Sequence, residues 1–218
     1  MKNRATQLVE TLLNGGDGGS DYAVENALLI QFFRGYPIEN VLVLLRSNQE
    51  NAVKAGAWIA SEMGIKIAPL IDELSEFIDH PIPYVRFFMI DPVLVAATSE
   101  QGGIIAKAVL LVNDREASVR RQAHHFLARA ANDQLAASVA YLHDDEVQRL
   151  VRWLVSAENT DVFKRSVGEK LRDEDALSRA FAVAAAARLN EDGRAFLEEA
   201  ASDSDAEVSL FATQELAL

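Results

Sequence analysis

The amino-acid sequence predicts an all-α protein, a solenoid of about six stacked helical hairpins. Two observations predict it. Apolar residues recur at intervals of three and four, and no stretch shows the strict alternation of a half-buried β-strand. Related segments also return at steps close to thirty residues, which fits two helices of about a dozen residues and two turns. A single hairpin of this kind cannot bury its apolar face alone, so we expect neighbouring hairpins to stack.

The N-terminal residues form the first predicted element. Residues 3–14 are predicted to be a short helix with Leu8, Leu12 and Leu13 on one side. The segment from Gly15 to Gly19 ends this helix, because glycine is costly inside helices. From residue 21 onward the pattern is helix after helix. We therefore divide the chain into a capping helix with a glycine-rich turn at 1–20 and a repeat domain at 21–218.

The internal repeat consists of six segments in which a polar residue stands six positions before a basic or polar residue. The pairs are Asn48/Lys54, His80/Arg86, Asp114/Arg120, His143/Arg149, Asp173/Arg179 and Asp203/Ser209. Their first members are 32, 34, 29, 30 and 30 residues apart. Three positions after each pair come Ala57, Met89, Ala123, Arg152, Ala182 and Ala212. A small residue there allows close helix packing, so Arg152 marks the fourth unit as irregular.

The residues from Asp114 to Ala123 resemble the signature of HEAT repeats, in which Asp, Val-Arg and Ala recur at these offsets. The segments 173–182 and 203–212 are similar, with Ser209 in place of the arginine, and the resemblance covers roughly 48–218. It implies a HEAT-like, right-handed α-α superhelix whose second helices line the concave face. It also implies that Asp and Arg form a structural ladder between adjacent repeats, and the ladder residues here are Asp114, Arg120, Asp173, Arg179 and Asp203.

The composition narrows the function. There are 33 acidic and 21 basic residues, and the net charge is −12. An acidic chain repels a phosphate backbone, which disfavours nucleic acid as the partner. The chain has no cysteine, which excludes disulfides and thiolate metal sites. It shows no apolar signal core at its N-terminus and no apolar stretch of membrane-spanning length, so we expect a cytoplasmic protein without a membrane partner.

The predicted contact surface is formed by the polar residues of the second helices. These helices are expected at approximately 37–46, 66–79, 100–112, 132–142, 160–171 and 192–200. The helix at 66–79 places its acidic residues in a stripe opposite its apolar face. Such a stripe is a solvated surface or a docking site for Lys or Arg. A catalytic pair is the least favoured interpretation, because nothing shows that either acid is desolvated. The predicted partner-binding residues are Asp72, Glu73, Glu76, Asp79, Lys107, Lys164, Arg165 and Glu169.

The sequence gives little support for a catalytic or metal-binding function. His124 and His125 are adjacent and point about 100° apart on a helix, so they do not chelate one metal well. No phosphate-binding glycine motif, nucleophile elbow or H-E-x-x-H motif is present. We therefore predict no catalytic residue, no metal and no cofactor.

These observations favour a non-enzymatic protein-binding scaffold that presents an acidic surface to a basic protein partner. A sharper hypothesis is an inhibitor of the immunity type, which neutralises a basic toxin domain. The alternative is an enzyme on a HEAT-like scaffold. Resemblance to the family suggests either a DNA glycosylase for alkylated bases, to which Trp153, Asp145 and Arg149 could contribute, or a bilin lyase.

Overall fold

The computed structural model describes residues 3–15, 23–156 and 160–218, and every regular element in this part of the chain is a helix. The all-α prediction is confirmed. Contacts divide the chain into two compact units, Met1–Ala97 and Thr98–Leu218. The predicted helix at 3–14 is α1. The glycine-rich turn predicted after it lies, beyond Gly15, outside the described residues, and the division at residue 20 stays a prediction.

The Met1–Ala97 unit is centred on its fourth helix. Its elements, with η denoting a 3₁₀-helix, are α1 (Arg4–Leu13), α2 (Ala23–Phe33), α3 (Asn40–Leu45), α4 (Glu50–Glu62), η1 (Gly64–Leu70), α5 (Ile71–Leu74) and α6 (Pro83–Ala96). Helix α4 packs against α3 and α6. A Cβ on Gly56 would lie 3.0 Å from the Leu44 Cβ, so the lack of a side chain there lets α3 and α4 approach closely.

The prediction of a single helix at 66–79 is wrong. The segment is instead η1 followed by α5, which has only four residues, and then by turns. Pro69 lies inside η1, where it cannot donate a backbone hydrogen bond, and its ring disfavours α-helical geometry at the preceding residue. Each of the other five predicted second helices contains an α-helix of at least six residues.

In the described residues of the Thr98–Leu218 unit, four hairpins open with the helices α8, α10, α12 and α14, and further helices lie between them. Its elements are η2 (Ser99–Gln101), α7 (Gly102–Leu110), η3 (Leu111–Asn113), α8 (Ala117–Arg129), α9 (Asn132–Ser138), η4 (Val139–Tyr141), α10 (Asp145–Val155), α11 (Asp161–Lys170), α12 (Ala176–Arg188), η5 (Asn190–Gly193), α13 (Arg194–Ala200) and α14 (Ala206–Leu216).

The order of contacts in this unit departs from stacking of each hairpin on the next. Helix α8 packs against α12 and α14 directly, while α10 packs against α9 and α12. Phe126 of α8, Phe181 of α12 and Phe211 of α14 are all fully buried. Helices that begin about sixty and ninety residues apart therefore share one apolar core.

The turns that open three of the hairpins explain the spacing of six residues. At the third hairpin, the Asp114 carboxylate accepts from the Glu116 N–H at 2.9 Å, and the Arg120 Nη1 donates back to the Asp114 carbonyl at 2.6 Å. Side chain and backbone thus satisfy each other around the helix start. The same two hydrogen bonds occur at His80 with Arg86 and at Asp173 with Arg179. The spacing of six is therefore a local folding device.

In each of two further hairpins, one of these two hydrogen bonds shifts the predicted register by one residue. The Gln49 N–H donates to the Ser47 Oγ at 3.1 Å, so Ser47, and not Asn48, matches Asp114. In the fourth hairpin the Gln148 side chain donates to the Leu142 carbonyl at 3.1 Å, so the pair is Leu142/Gln148. In the corrected register, the residues three positions after each pair are all buried: Gly56, Met89, Ala123, Val151, Ala182 and Ala212. Arg152 is exposed and breaks no rule.

No helix in the described parts of the chain is both long enough and apolar enough to cross a bilayer.

Candidate functional site

The four acidic residues predicted at 66–79 lie on one exposed surface of the Met1–Ala97 unit. Exposed residues recur there at intervals of about three, as expected for a 3₁₀-helix continued by turns. We name this surface the exposed ridge, and its residues are Ile65, Lys66, Pro69, Asp72, Glu73, Glu76 and Asp79. The acids therefore share a surface although the predicted helix does not form.

The acids of the exposed ridge differ in what they contact. Glu76 accepts from both Nε and Nη2 of Arg46, at 2.9 and 2.6 Å, and both side chains are more than half exposed. An ion pair this exposed contributes little to stability. Asp72 and Glu73 have no ion-pair partner among the described residues. Their carboxylates are therefore available to a partner.

Apolar side chains lie at the N-terminal end of the exposed ridge. Ile65 is 66% exposed, and the Lys66 Nζ lies 5.3 Å from the centre of the Phe33 ring, which brings the end of α2 to this place. Phe33 and Ile30, one turn apart on α2, are nearly half exposed. Exposed large apolar residues in a group indicate an interaction surface. The exposure of these residues is not visible in the sequence, because α2 carries apolar residues on most of its faces and such a helix is expected to be covered.

The other predicted partner-binding residues lie in the Thr98–Leu218 unit. Lys107 is half-buried on α7. On α11, the Lys164 Nζ pairs with the Asp192 carboxylate at 3.1 Å, and Arg165 and Glu169 are exposed one turn apart. Contact of these four residues with a partner stays a prediction.

The predicted ladder residues make two kinds of contact. Arg179 donates from Nε and Nη2 to the two carboxylate oxygens of Asp203, at 2.8 and 3.1 Å, and thereby connects the fifth hairpin to the sixth. Arg120 instead binds Glu207 of α14, with 2.9 Å between its Nε and Oε2. The Asp114 carboxylate accepts from the Glu116 N–H at the start of its own hairpin.

A polar network links α8 to α14, and no motif in the sequence points to it. The Glu215 carboxylate lies 2.6 Å from the His125 Nδ1 and 2.9 Å from the Arg129 Nη1. Burial alone would raise the pKa of Glu215, but hydrogen bonds from His125 and Arg129 outweigh it and lower that pKa. His125 and Glu215 are ninety residues apart, so local spacing could not have revealed the pair.

His124 packs as a buried histidine of the core. Its ring is 5% exposed and stacks on Phe211 with 5.4 Å between ring centres. Burial lowers the pKa of His124 to about 4, so the imidazole is neutral near pH 7. No group of three or more His, Asp or Glu residues in the described ranges could hold a metal ion.

Trp153, proposed above for a glycosylase, is occupied by contacts within its own unit. Its ring stacks on Phe163 at 5.3 Å between centres, its Nε1–H donates to the Ser166 Oγ at 3.2 Å, and the Lys170 Nζ lies 5.0 Å from the ring centre. Arg149 pairs with Glu146 of the same helix on an exposed surface. These contacts are typical of packing and give the glycosylase hypothesis no support.

Comparison with known proteins identifies the type of fold alone. No family model matches the chain, and no curated protein is similar to it. One similar solved structure is the crystal structure of an engineered protein from a structural genomics consortium. It is 17% identical, with a TM-score of 0.54, over 99% of this chain and 96% of that chain. At this identity the likeness carries no statement about function, and the chain is an all-helical protein.

Proposed function

We propose that this chain is a non-enzymatic protein-binding module that recognises a basic partner through the exposed ridge. One observation carries the proposal: the ridge joins an exposed apolar end, at Ile65 and Phe33, to the carboxylates of Asp72 and Glu73, which have no ion-pair partner among the described residues. Protein interfaces combine apolar anchors with a polar rim in this way. A Lys or Arg of the partner can pair with the carboxylates while an apolar side chain covers Ile65.

The overall charge supports a basic partner. A net charge of −12 attracts a basic protein over distances of about a Debye length and speeds its association. The more specific form of the proposal is an inhibitor of the immunity type, which covers the basic surface of a toxin domain. In that form, binding is fast at low salt and weakens as salt screens the charges.

We further propose that the hairpins are HEAT-like units of a right-handed α-solenoid. The recurring turn that opens them supports this, because the same side-chain and backbone hydrogen bonds appear at His80, Asp114 and Asp173. The Arg179–Asp203 pair supports it as well, since it joins one hairpin to the next as the family ladder does. The direct packing of α8 on α12 is then a local departure at the fourth hairpin.

The test is capture of a partner from the source cell at low salt, with the wild-type chain compared with single variants. We expect a basic protein to be captured, and we expect Glu73→Lys and Ile65→Ser each to weaken its binding by about tenfold. Isothermal titration with the purified partner measures the change. Both substituted side chains are exposed, so the variants should fold.

The matched control is Glu174→Lys, which reverses an exposed carboxylate of the Thr98–Leu218 unit. It makes the same change in net charge as Glu73→Lys. If the two variants weaken binding equally, the partner senses only total charge and the exposed ridge is not the interface. Failure to capture any basic protein at low salt contradicts the proposal altogether.

A further inference from the structure

A cleft of about 480 Å³ opens in the Thr98–Leu218 unit, among the last turns of α8, α12 and α14 and the start of α13. A second space of about 460 Å³ adjoins it and shares Ala128, Arg129, Arg188 and Asn190 with it. We name the two together the arginine cleft, because Arg129, Arg188 and Arg194 line it. Three arginines around one cleft are unusual in a chain with twelve more acids than bases.

Arg188 is a half-buried cation with no ion-pair partner among the described residues. Its Nη1 donates to the carbonyls of Leu127 and Ala130, at 3.0 and 2.6 Å, and its Nη2 donates to the Asn132 side chain. None of its acceptors in the described ranges is a carboxylate. Three of its five N–H bonds are used in this way, which leaves two for a ligand. Burial lowers the pKa of Arg188, which reflects the cost of holding this charge without an anion nearby.

Arg194 supplies the second available guanidinium. Its Nε donates to Glu198 at 3.1 Å, and its side chain is 62% exposed. Its four remaining N–H bonds have no acceptor among the described residues. Arg129 differs, because both of its terminal nitrogens already bind Glu215, at 2.9 and 3.2 Å. The cleft therefore offers the N–H groups of Arg188 and Arg194 to an anion.

The turn between α12 and α13 fixes the backbone that carries the two arginines. Asn190 has φ of +55°, a left-handed conformation that non-glycine residues seldom adopt. A Cβ on Gly193 would lie 1.9 Å from the Ala186 carbonyl oxygen, so the turn packs directly on α12 and only glycine fits. A preformed arrangement of this kind lowers the entropy cost of binding.

The rest of the lining restricts the ligand. Glu215 pairs with Arg129 and Glu198 pairs with Arg194, so among the described residues Arg188 is the arginine of the cleft without a carboxylate partner. Because Glu191 also lines the cleft, one negative charge suits it better than two. The apolar part of the wall is formed by Ala128, Ala187, Leu197 and Leu216. The volume lies in the range of small-ligand sites. An apolar body with one anionic end fits both parts of the lining.

We propose that the arginine cleft binds a carboxylate carried on an apolar body, with the carboxylate between Arg188 and Arg194 and the body against Leu197 and Leu216. A guanidinium fork matches a carboxylate in a bidentate geometry, which gives both affinity and orientation. The carboxylate can belong to a free small acid or to the apolar C-terminus of a peptide. This site is separate from the proposed protein-binding function and does not depend on it.

The experiment is a titration of the full chain, labelled with ¹⁵N, with octanoate. We expect saturable chemical-shift changes at the Arg194 Nε and the Asn190 and Leu197 amides, and binding at least tenfold tighter than that of 1-octanol. Arg194→Gln should weaken octanoate binding by about tenfold. Arg188→Lys is a second variant, which keeps the charge but loses the fork.

The matched control is Arg149→Gln, since Arg149 is also exposed and also pairs with a glutamate of its own helix. It should leave octanoate binding unchanged. A short peptide ending in leucine is compared with its amide, and tighter binding of the free acid assigns the site to peptide ends, whereas octanoate binding alone assigns it to small acids. Equal affinity for octanoate and 1-octanol, tighter binding of inorganic phosphate, or no saturable shifts each overturns the proposal.

Discussion

Arg120 and Arg179 stand at the same position of their hairpins, yet they connect different parts of the Thr98–Leu218 unit. Each donates from Nη1 to the carbonyl six residues before it. Arg179 then pairs with Asp203, which opens the next hairpin and is 24 residues away. Arg120 pairs with Glu207 in α14, which is 87 residues away. The same local device therefore supports two different long-range contacts.

The difference teaches which part of a repeat is encoded locally. At His80, Asp114 and Asp173 the turn needs only a side-chain acceptor and a donor six residues on, and both are visible in the sequence. The partner of the arginine depends on which helix packs alongside, and α8 lies against α14. The two ion pairs also differ in burial. The side chains of Arg179 and Asp203 are 12% and 9% exposed, whereas the Glu207 side chain is 40% exposed.

The largest effect that we expect is the loss of the Arg179–Asp203 pair. Arg179→Met should lower the free energy of unfolding by about 3 kcal/mol, because it leaves the buried Asp203 carboxylate unpaired. Arg120→Met should cost only about 1 kcal/mol, because water already solvates part of Glu207. Urea unfolding measures both values.

Double-mutant cycles with Asp203→Asn and Glu207→Gln isolate each pair from the hydrogen bond to the turn carbonyl. The coupling energy should be larger for the Arg179 pair. A larger coupling for the Arg120 pair would mean that the contact between α8 and α14 stabilises the unit more than the contact between adjacent hairpins.

The next largest effect that we expect is a loss of stability in acid, which should weaken the contact between α8 and α14 selectively. Because the folded pKa of His124 is about 4, below the ordinary 6.5, the unfolded chain takes up this proton first as pH falls. Stability should therefore fall by about 2 kcal/mol between pH 7.5 and pH 5, and the loss should end near pH 4. Charges facing the ring are Glu207, Asp205, Arg120 and His125. Amide hydrogen exchange in α8 and α14 measures this loss.

The control for this pH dependence is His124→Gln, which removes the titrating ring and should flatten the slope between pH 7.5 and pH 5. The carboxylates whose pKa is lowered, such as Asp203 and Glu215, lose their contribution only at lower pH, below their unfolded values. An unchanged slope in α14 would place the responsible proton on another group.

The fold and the candidate site differ in how much of each could be predicted from the sequence. The helices and their near-thirty-residue step follow from periodicity, which is local. The contact of α8 with α14 could not be predicted, because His125 and Glu215 carry no pattern that relates them across ninety residues. On the exposed ridge, the acids were visible in the sequence. The exposure of Ile65 could not be predicted, because an apolar residue two positions before the buried Ile67 is expected to belong to the core as well.

The smallest effect tests the corrected register of the fourth hairpin. Gln148 donates to the carbonyls of Val139 and Leu142, at 2.9 and 3.1 Å. The bond to Leu142, six residues before it, matches the bond that Arg120 and Arg179 make in their own hairpins. Gln148→Ala should therefore cost about 1 kcal/mol in the free energy of unfolding, because two carbonyls lose their donor. Arg149→Ala should change it by less than about 0.5 kcal/mol, because its pair with Glu146 is exposed. A larger loss for Arg149→Ala would restore the His143/Arg149 register, and with it the fourth hairpin as the irregular unit that Arg152 implied. In the corrected register the fourth turn has Leu142 in place of Asp and Gln148 in place of Arg, and Asp144 supplies the side-chain acceptor instead. The fourth turn therefore keeps the donor six residues on and moves the acceptor by two positions.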